Sequence, residues 1–246
     1  MEDTVCFLCR SPASVPCDEC ENYSCSVAHA KIHKSVASGC LPIKIVYKEG
    51  VGNYCVATKD ISPGNTILLD TPAVWGPNLI SPPKCLNCLA RWQGTNLCPE
   101  CKFPVCNDKC AQGKHHVQEC GVLAKTNGIH TFTLGEKSNP AMSLVNVVRF
   151  LRLPVTDPEK AARANLLMDH VEDIVRNEDL WKVTAIDTLV KKLPNSPYTE
   201  EDVLHAIGVL ETNTVAIGVP GNNQGLYSAL YPTFSFLSHS CICNAR

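Results

Sequence analysis

No apolar run in this 246-residue chain approaches the roughly 18 residues that a membrane-spanning helix needs. The start, Met1-Glu2-Asp3-Thr4, has neither the positive n-region nor the apolar h-region of a secretory signal. Excess charge of either sign is also missing. Twenty-two Lys and Arg stand against 24 Asp and Glu, for a formal net charge of −2, which removes any overall electrostatic case for nucleic acid. No Ser-His-Asp or Cys-His arrangement has the motif context that would argue hydrolysis. Gly221-Asn222-Asn223-Gln224-Gly225 lacks the Lys-Ser/Thr that a phosphate loop requires, and reads as a plain loop. Cysteine, by contrast, is abundant, with sixteen in all. Without a secretory signal, and with Cys-x2-Cys pairs, these thiols read as reduced and metal-bound, in a cytoplasmic or nuclear protein.

The densest window holds Cys85, Cys88, Cys98, Cys101, Cys106, Cys110, His116 and Cys120. They form four ligand pairs spaced C-x2-C, C-x2-C, C-x3-C and H-x3-C, enough to close two tetrahedral zinc sites with no position left for water. A looser copy precedes it: Cys6 with Cys9, Cys17 with Cys20, Cys25 with His29, then His33 and Cys40. Alternating pairs are expected to share each metal, because neither half of a module could bury a core alone. Cys6, Cys9, Cys25 and His29 would hold one ion, and Cys17, Cys20, His33 and Cys40 the next. Cys85, Cys88, Cys106 and Cys110 would hold a third, and Cys98, Cys101, His116 and Cys120 a fourth. The alternative leaves one site of the first copy degenerate. Each closed zinc contributes on the order of 10 kcal/mol of folding energy, so these segments depend on metal. Lys31, His33 and Lys34, and Lys102, Lys109, Lys114 and His115, gather near the modules and read as solvated basic faces.

Between the modules Ile43-Lys44-Ile45-Val46-Tyr47 alternates like a strand, Gly50-Val51-Gly52 turns the chain, and Tyr54-Cys55-Val56-Ala57-Thr58 reads as the return strand. Cys55, with no ligand-spaced partner, reads as a small buried core residue. Thr66-Ile67-Leu68-Leu69 is a further β-rich run. Beyond the second module the period becomes helical over Met142–Leu153, Pro158–Asn177 and Leu180–Leu193. Thr199-Glu200-Glu201-Asp202 looks like a capped start for a helix through Val203, Ile207 and Leu210. His130, His170 and His205 lie outside the ligand clusters and read as structural. Tyr227 and Tyr231 fall in short aromatic and β-branched runs, with Phe234 and Phe236.

Three of these segments, in this order, resemble the SET-and-MYND family of protein lysine methyltransferases. The first is Gly50-Val51-Gly52 with Ala57-Thr58-Lys59-Asp60-Ile61-Ser62-Pro63-Gly64. The second is the zinc window at 85–120, similar to a MYND finger. The third is Gly225-Leu226-Tyr227 leading to Phe236-Leu237-Ser238-His239-Ser240-Cys241, similar to the family's Asn-His-Ser-Cys signature. The resemblance spans Leu41 to Arg246, and the extra N-terminal finger is similar to an arthropod branch of the family. It implies an α+β fold with five segments: a MYND-like finger at 1–40, the first part of a SET domain at 41–84, a MYND finger at 85–120, a helical insert at 121–210 and a core SET segment at 211–246. It implies S-adenosylmethionine as cofactor beside zinc, and methyl transfer to lysine of histone or non-histone proteins, as in chromatin regulators. Gly50 and Gly52 would let backbone approach the cofactor, Asn213 would hydrogen-bond it, and Ser235, Phe236, Ser238 and His239 would line its ends. Cys241 would help hold a further zinc.

The chain departs from the family pattern at the signature asparagine, which is Ser238; a hydroxyl replaces only part of that hydrogen bonding, at a cost of ~1 kcal/mol or more. Ile242-Cys243 stands where Asp-Pro is usual, and Cys243 reads as a buried bystander. The sequence stops at Arg246, short of the family's catalytic tyrosine and later cysteines, so a truncated and inactive chain is expected. The competing reading is a zinc-finger adaptor or transcriptional regulator that binds proline-containing peptides and carries a non-catalytic SET remnant. Neither reading calls for direct nucleic-acid or membrane binding.

Overall fold

Period-two alternation, glycine turns and capped helical stretches give a mixed α+β architecture of small sheets and short helices. The computed structural model describes residues 4–20, 22–34, 40–78, 81–126, 130–175, 180–219 and 222–245. Met1, Gly221, Asn177 and Arg246, which bound or enter several of the expectations above, lie outside these residues. The chain forms two compact units: Met1–Thr71 with Ala162–Leu167 and Tyr231–Arg246, and Pro72–Ala161 with Met168–Leu230. No helix among the described residues is long and apolar enough to cross a membrane.

In the first unit a two-residue ribbon, β1 (Val15–Pro16) on β2 (Tyr23–Ser24), precedes helix α1 (Val27–His33). Ser26 starts α1 by accepting a hydrogen bond from the His29 amide at 3.1 Å. Strands β3 (Ile43–Lys48) and β4 (Gly52–Ala57) pair antiparallel from Ile43 opposite Ala57 to Lys48 opposite Gly52. Ile43 and Ile45 are buried while Lys44 between them is exposed, as alternation dictates. Gly50 and Gly52 sit at φ of +76° and +83°, a conformation L side chains rarely adopt. The Ile45 amide donates to the Phe7 carbonyl at 2.9 Å, tying the hairpin to the N-terminal module. Cys55 is half-buried rather than fully so, and burial pushes its thiol up to about 11.

Thr66–Leu69 forms no strand: among the described residues nothing pairs with it, and Leu69 is exposed. The neighbouring Asp70 makes its contacts through its side chain instead. Its carboxylate accepts from the amides of Thr233 (2.9 Å) and Phe234 (3.0 Å), capping a 3-10 turn at Phe234–Phe236.

The second unit is built on a three-stranded antiparallel sheet in the order β5 (Val74–Pro77), β7 (Asn222–Leu230), β6 (Thr214–Val219). The loop expected over Gly221–Gly225 is therefore strand from Asn222 onward. Backbone pairing with β6 defines it, and the polar run Asn222-Asn223-Gln224 carries no alternation that would announce it. Short helices α2 (Asp108–Ala111) and α3 (His116–Ala124) belong to the second cysteine module. Helix α4 (Ala141–Thr156) is buried on every face from Ala141 to Phe150 and packs against β5 and α3.

The single helix expected over Pro158–Asn177 is broken into α5 (Pro158–Ala164) and α6 (Val171–Val175). Asp169 accounts for the break. Its carboxylate accepts from the Val171 amide at 3.4 Å and meets His205 Nδ1 at 2.7 Å, and His170 turns the chain at φ +47°. Leu180–Leu193 is helical as expected, as α7 (Leu180–Ile186) followed by a wider π-helical turn at Asp187–Lys192. Helix α8 (Glu200–Asn213) begins with the anticipated capping box, in which Thr199 and Asp202 bond each other's amides, and it buries Val203, Ile207 and Leu210.

One buried ion pair joins the cysteine module of this unit to its helices. Arg149 of α4 bonds both carboxylate oxygens of Glu119 in α3, at 2.6 and 3.2 Å, and donates to the carbonyls of Leu86 and Trp75. Glu119 is fully buried, and burial lifts its carboxyl to about 7 despite the guanidinium beside it. Replacing Arg149 by Met strands that carboxylate and two carbonyls, so a loss of about 3–5 kcal/mol is expected in urea unfolding of the zinc-loaded protein. Glu119→Gln keeps a hydrogen-bond acceptor but leaves the buried guanidinium without its counter-charge, so a loss of similar size, about 3–5 kcal/mol, is expected.

Candidate metal centres

The cysteine and histidine ligands assemble into four clusters, in each of which the four donor atoms lie within 4.8 Å of one another. Their membership is the interleaved one expected from spacing. Cys6, Cys9, Cys25 and His29 form the first cluster, and Cys17, Cys20, His33 and Cys40 the second. Cys85, Cys88, Cys106 and Cys110 form the third, and Cys98, Cys101, His116 and Cys120 the fourth. Neither site of the N-terminal copy is degenerate in its donor set.

Local chemistry explains how the ligands converge. In three of the Cys-x2-Cys knuckles the first cysteine's carbonyl accepts from the amide four residues on: Cys6 from Arg10, Cys85 from Leu89, Cys98 from Lys102. Each of those fourth residues turns left-handed, at φ of +58°, +60° and +61°. The first cysteine's amide then donates onward, to Ser11, Ala90 and Phe103 respectively. This bend aims both sulfurs of a knuckle the same way. The helices add the remaining donors at one-turn spacing. His29 and His33 share a face of α1 but serve different clusters, whereas His116 and Cys120 of α3 serve the same one. Asn107 caps α2 by accepting from the Cys110 amide at 3.1 Å, which sets Cys110 toward the third cluster.

The distances suit zinc and exclude disulfides. Sulfur–sulfur separations are 3.4 Å for Cys9–Cys25, 3.5 Å for Cys17–Cys40, 3.6 Å for Cys88–Cys106 and 3.7 Å for Cys98–Cys120. A tetrahedron with metal–sulfur bonds of about 2.3 Å has edges of about 3.8 Å, whereas a disulfide is about 2.05 Å long. Histidine nitrogens complete the pattern, with His29 Nδ1 at 3.4 Å from Cys6 and 3.3 Å from Cys25, and His33 Nε2 at 3.2 Å from Cys20.

Titration follows from crowding. Burial pushes the Cys101 and Cys106 thiols up, and lifts Cys40 to about 12 and Cys120 to about 11. Thiols packed this closely cannot all ionise unless a cation compensates them. Burial also holds His116 down to about 4, so at neutral pH its ring is an unprotonated donor. All four donor sets thus fit zinc as closed, structural sites.

The residues assigned to a methyl donor by resemblance are distributed over both units. Gly50 and Gly52 (in the β3–β4 turn), Ser235, Phe236, Ser238 and His239 belong to the first unit, and Asn213 to the second. Strand β4 lies against the Phe234–Phe236 turn, where Phe236 is buried. Ser235 donates through Oγ to the Tyr231 carbonyl at 2.9 Å. Ser238 and His239 are exposed. Asn213 ends α8 with its amide donating to the carbonyls of Met168 (2.8 Å) and Val209 (3.0 Å). Cys241 is exposed, 3.5 Å from His239 Nε2 and outside the four clusters, and Cys243 is exposed rather than buried. His130 stacks edge-on against Phe103 and His205 pairs with Asp169, which are structural placements. Sequence reasoning missed Asp70 and Arg149, whose roles rest on partners distant in sequence, and the left-handed fourth residue in three of the knuckles.

Four zinc ions per chain are expected by elemental analysis of the purified protein, with loss of helical dichroism when a chelator removes them. Lys102→Val, which puts a β-branched residue at φ +61°, should lower stability by about 1–2 kcal/mol. Lys102→Gly should leave stability and metal content intact.

No protein-family model matches the chain and no curated protein matches it, so the functional reading rests on the residues themselves.

Proposed function

We propose that the chain is a zinc-dependent member of the SET-and-MYND type of protein lysine methyltransferases, and that its glycine hairpin and signature segment bind S-adenosylmethionine. The observation that carries this reading is the meeting of two distant segments: the glycine hairpin strand β4 and the Phe234–Phe236 turn pack together in one unit. These are the two segments whose motifs resemble the cofactor-binding parts of that family.

The residues present fit such a group in two respects. A Cβ added at Gly50 would meet nothing within 4 Å, so the turn is open on that side to an approaching ligand. The signature segment is anchored at one end by the Asp70 cap, while Ser238 and His239 stand exposed. S-adenosylmethionine supplies an electrophilic methyl group when bound. The part left to the protein is positioning and exclusion of water. Gly50 and Gly52 would present backbone, the Ser235 and Ser238 hydroxyls and the His239 ring would supply hydrogen bonds, and Phe236 would supply an apolar wall. The four zinc clusters hold the surrounding modules in shape and take no part in the chemistry, since each is closed by four protein donors.

A second reading, a zinc-finger adaptor for proline-containing peptides, is favoured by one residue. Ser238 replaces an amide with a hydroxyl where the family's asparagine would stand, which weakens any hold on the cofactor.

Calorimetric titration of the zinc-loaded protein with S-adenosylmethionine separates the two readings. Saturable binding that is lost in Gly52→Val, whose side chain cannot take φ +83°, supports the methyltransferase reading. No heat from a protein carrying its full zinc complement would sink it and leave the adaptor.

A further inference from the structure

The sixteen ligands of the four clusters are not equally sheltered. Cys88 of the third cluster is exposed, whereas the rest are buried or half-buried. The third cluster is also the one made of four cysteines, while the other three each include a histidine. Around a divalent ion four thiolates leave two net negative charges, against one for three thiolates and an imidazole. The sulfurs of the third site are therefore the more electron-rich, and it is as thiolate that sulfur attacks an electrophile.

Nor are those four sulfurs alike. Cys85 is fully buried, and its sulfur accepts from the backbone amides of Asn87, Cys88 and Cys106. Cys110 takes the Asn87 side-chain amide at 3.9 Å. Donors of this kind draw electron density from a metal-bound sulfur. Cys88 stands at the surface, with the half-buried Cys106 sulfur 3.6 Å away. An oxidant arriving from solvent meets Cys88 first, and the thiol needed to complete a bridge is already beside it.

We propose that the Cys88–Cys106 edge of the third metal centre is an oxidation site that takes a hydroperoxide as substrate and gives a disulfide with release of the metal. With hydrogen peroxide, the Cys88 sulfur attacks one oxygen, the O–O bond breaks and hydroxide leaves, giving the sulfenic acid of Cys88. The Cys106 thiolate then attacks the Cys88 sulfur. The S–S bond forms, the S–O bond breaks and a second hydroxide leaves. The two thiolates lose the two electrons that the peroxide gains. Cys85 and Cys110 remain as ligands, too few to close a tetrahedral site. The change reaches beyond the ligands through Leu86, which lies between Cys85 and Cys88. Its amide donates to the Pro104 carbonyl at 3.0 Å, and its carbonyl accepts from Arg149 of α4 at 2.6 Å. Loss of the metal frees this knuckle, and with it one partner of the buried guanidinium. The proposal rests on zinc in the third cluster and is independent of any methyl transfer.

The test titrates the whole, zinc-loaded chain with hydrogen peroxide, following free zinc with a chromogenic indicator and bridges by peptide mapping. One of the four ions is expected to leave before the others, in step with a Cys88–Cys106 bridge. In Cys88→His, which keeps a metal donor but removes the oxidisable sulfur, that first loss should disappear while the other three ions behave as before. Simultaneous release of all four ions, first release from another cluster, or an unchanged early loss in Cys88→His would each overturn the proposal. Should the histidine variant not fold with its full metal content, the map of the parent chain decides. Cys88–Cys106 as the first bridge between ligands supports the proposal, and any other first bridge between ligands refutes it. Cys241 and Cys243 are exposed but outside the clusters, so a bridge between them releases no metal. A chain that forms only that bridge under peroxide refutes the proposal as well.

Discussion

Tetrahedral closure of cysteine and histidine around a metal is the constraint on which both modules depend. The N-terminal module has a two-residue ribbon and one seven-residue helix, and the second has two short helices. Elements this small cannot bury enough apolar surface to offset the entropy of ordering the chain. The residues at the centre of each module are the ligands themselves: Cys6, Cys85, Cys98, Cys101 and His116 are nearly or wholly inaccessible. Remaining contacts are draped over this scaffold. Ile45 bonds Phe7 next to the first cluster, and Arg149 reads the carbonyl of Leu86 between two ligands of the third.

The parts of the structure legible in the sequence are those where local chemistry is sufficient. Ligand spacing gave all four donor sets, because a knuckle is a local bend and interleaving follows from how little each half can bury. The β3–β4 hairpin and the Thr199 cap were readable for the same reason: alternation, glycine turns and a capping box are short-range signals. Three misreadings share the opposite cause. Asn222-Asn223-Gln224 becomes strand only because β6 lies beside it. Thr66–Leu69 has strand composition but no partner among the described residues. The helix over 158–177 breaks because Asp169 finds His205, which spacing alone cannot show.

The candidate cofactor residues are a middle case. Resemblance supplied the motifs, and packing puts the glycine hairpin strand and the Phe234–Phe236 turn together within one unit. Asp70 was invisible beforehand, since a lone aspartate carries no motif, yet it holds the turn across 163 residues of sequence. Ser238 stands exposed just beyond the same turn, a hydroxyl at the position where the family pattern has an amide.

Interleaving has a consequence for how each module fills. The first cluster joins Cys6 to His29 across 23 residues, and that loop encloses Cys17 and Cys20 of the second. Whichever ion arrives first therefore gathers half of its neighbour's ligands and lowers the loop-closure entropy left for the next. The two sites of a module are in this way coupled through one stretch of chain, and a ligand lost from either loosens the loop that holds its neighbour's donors.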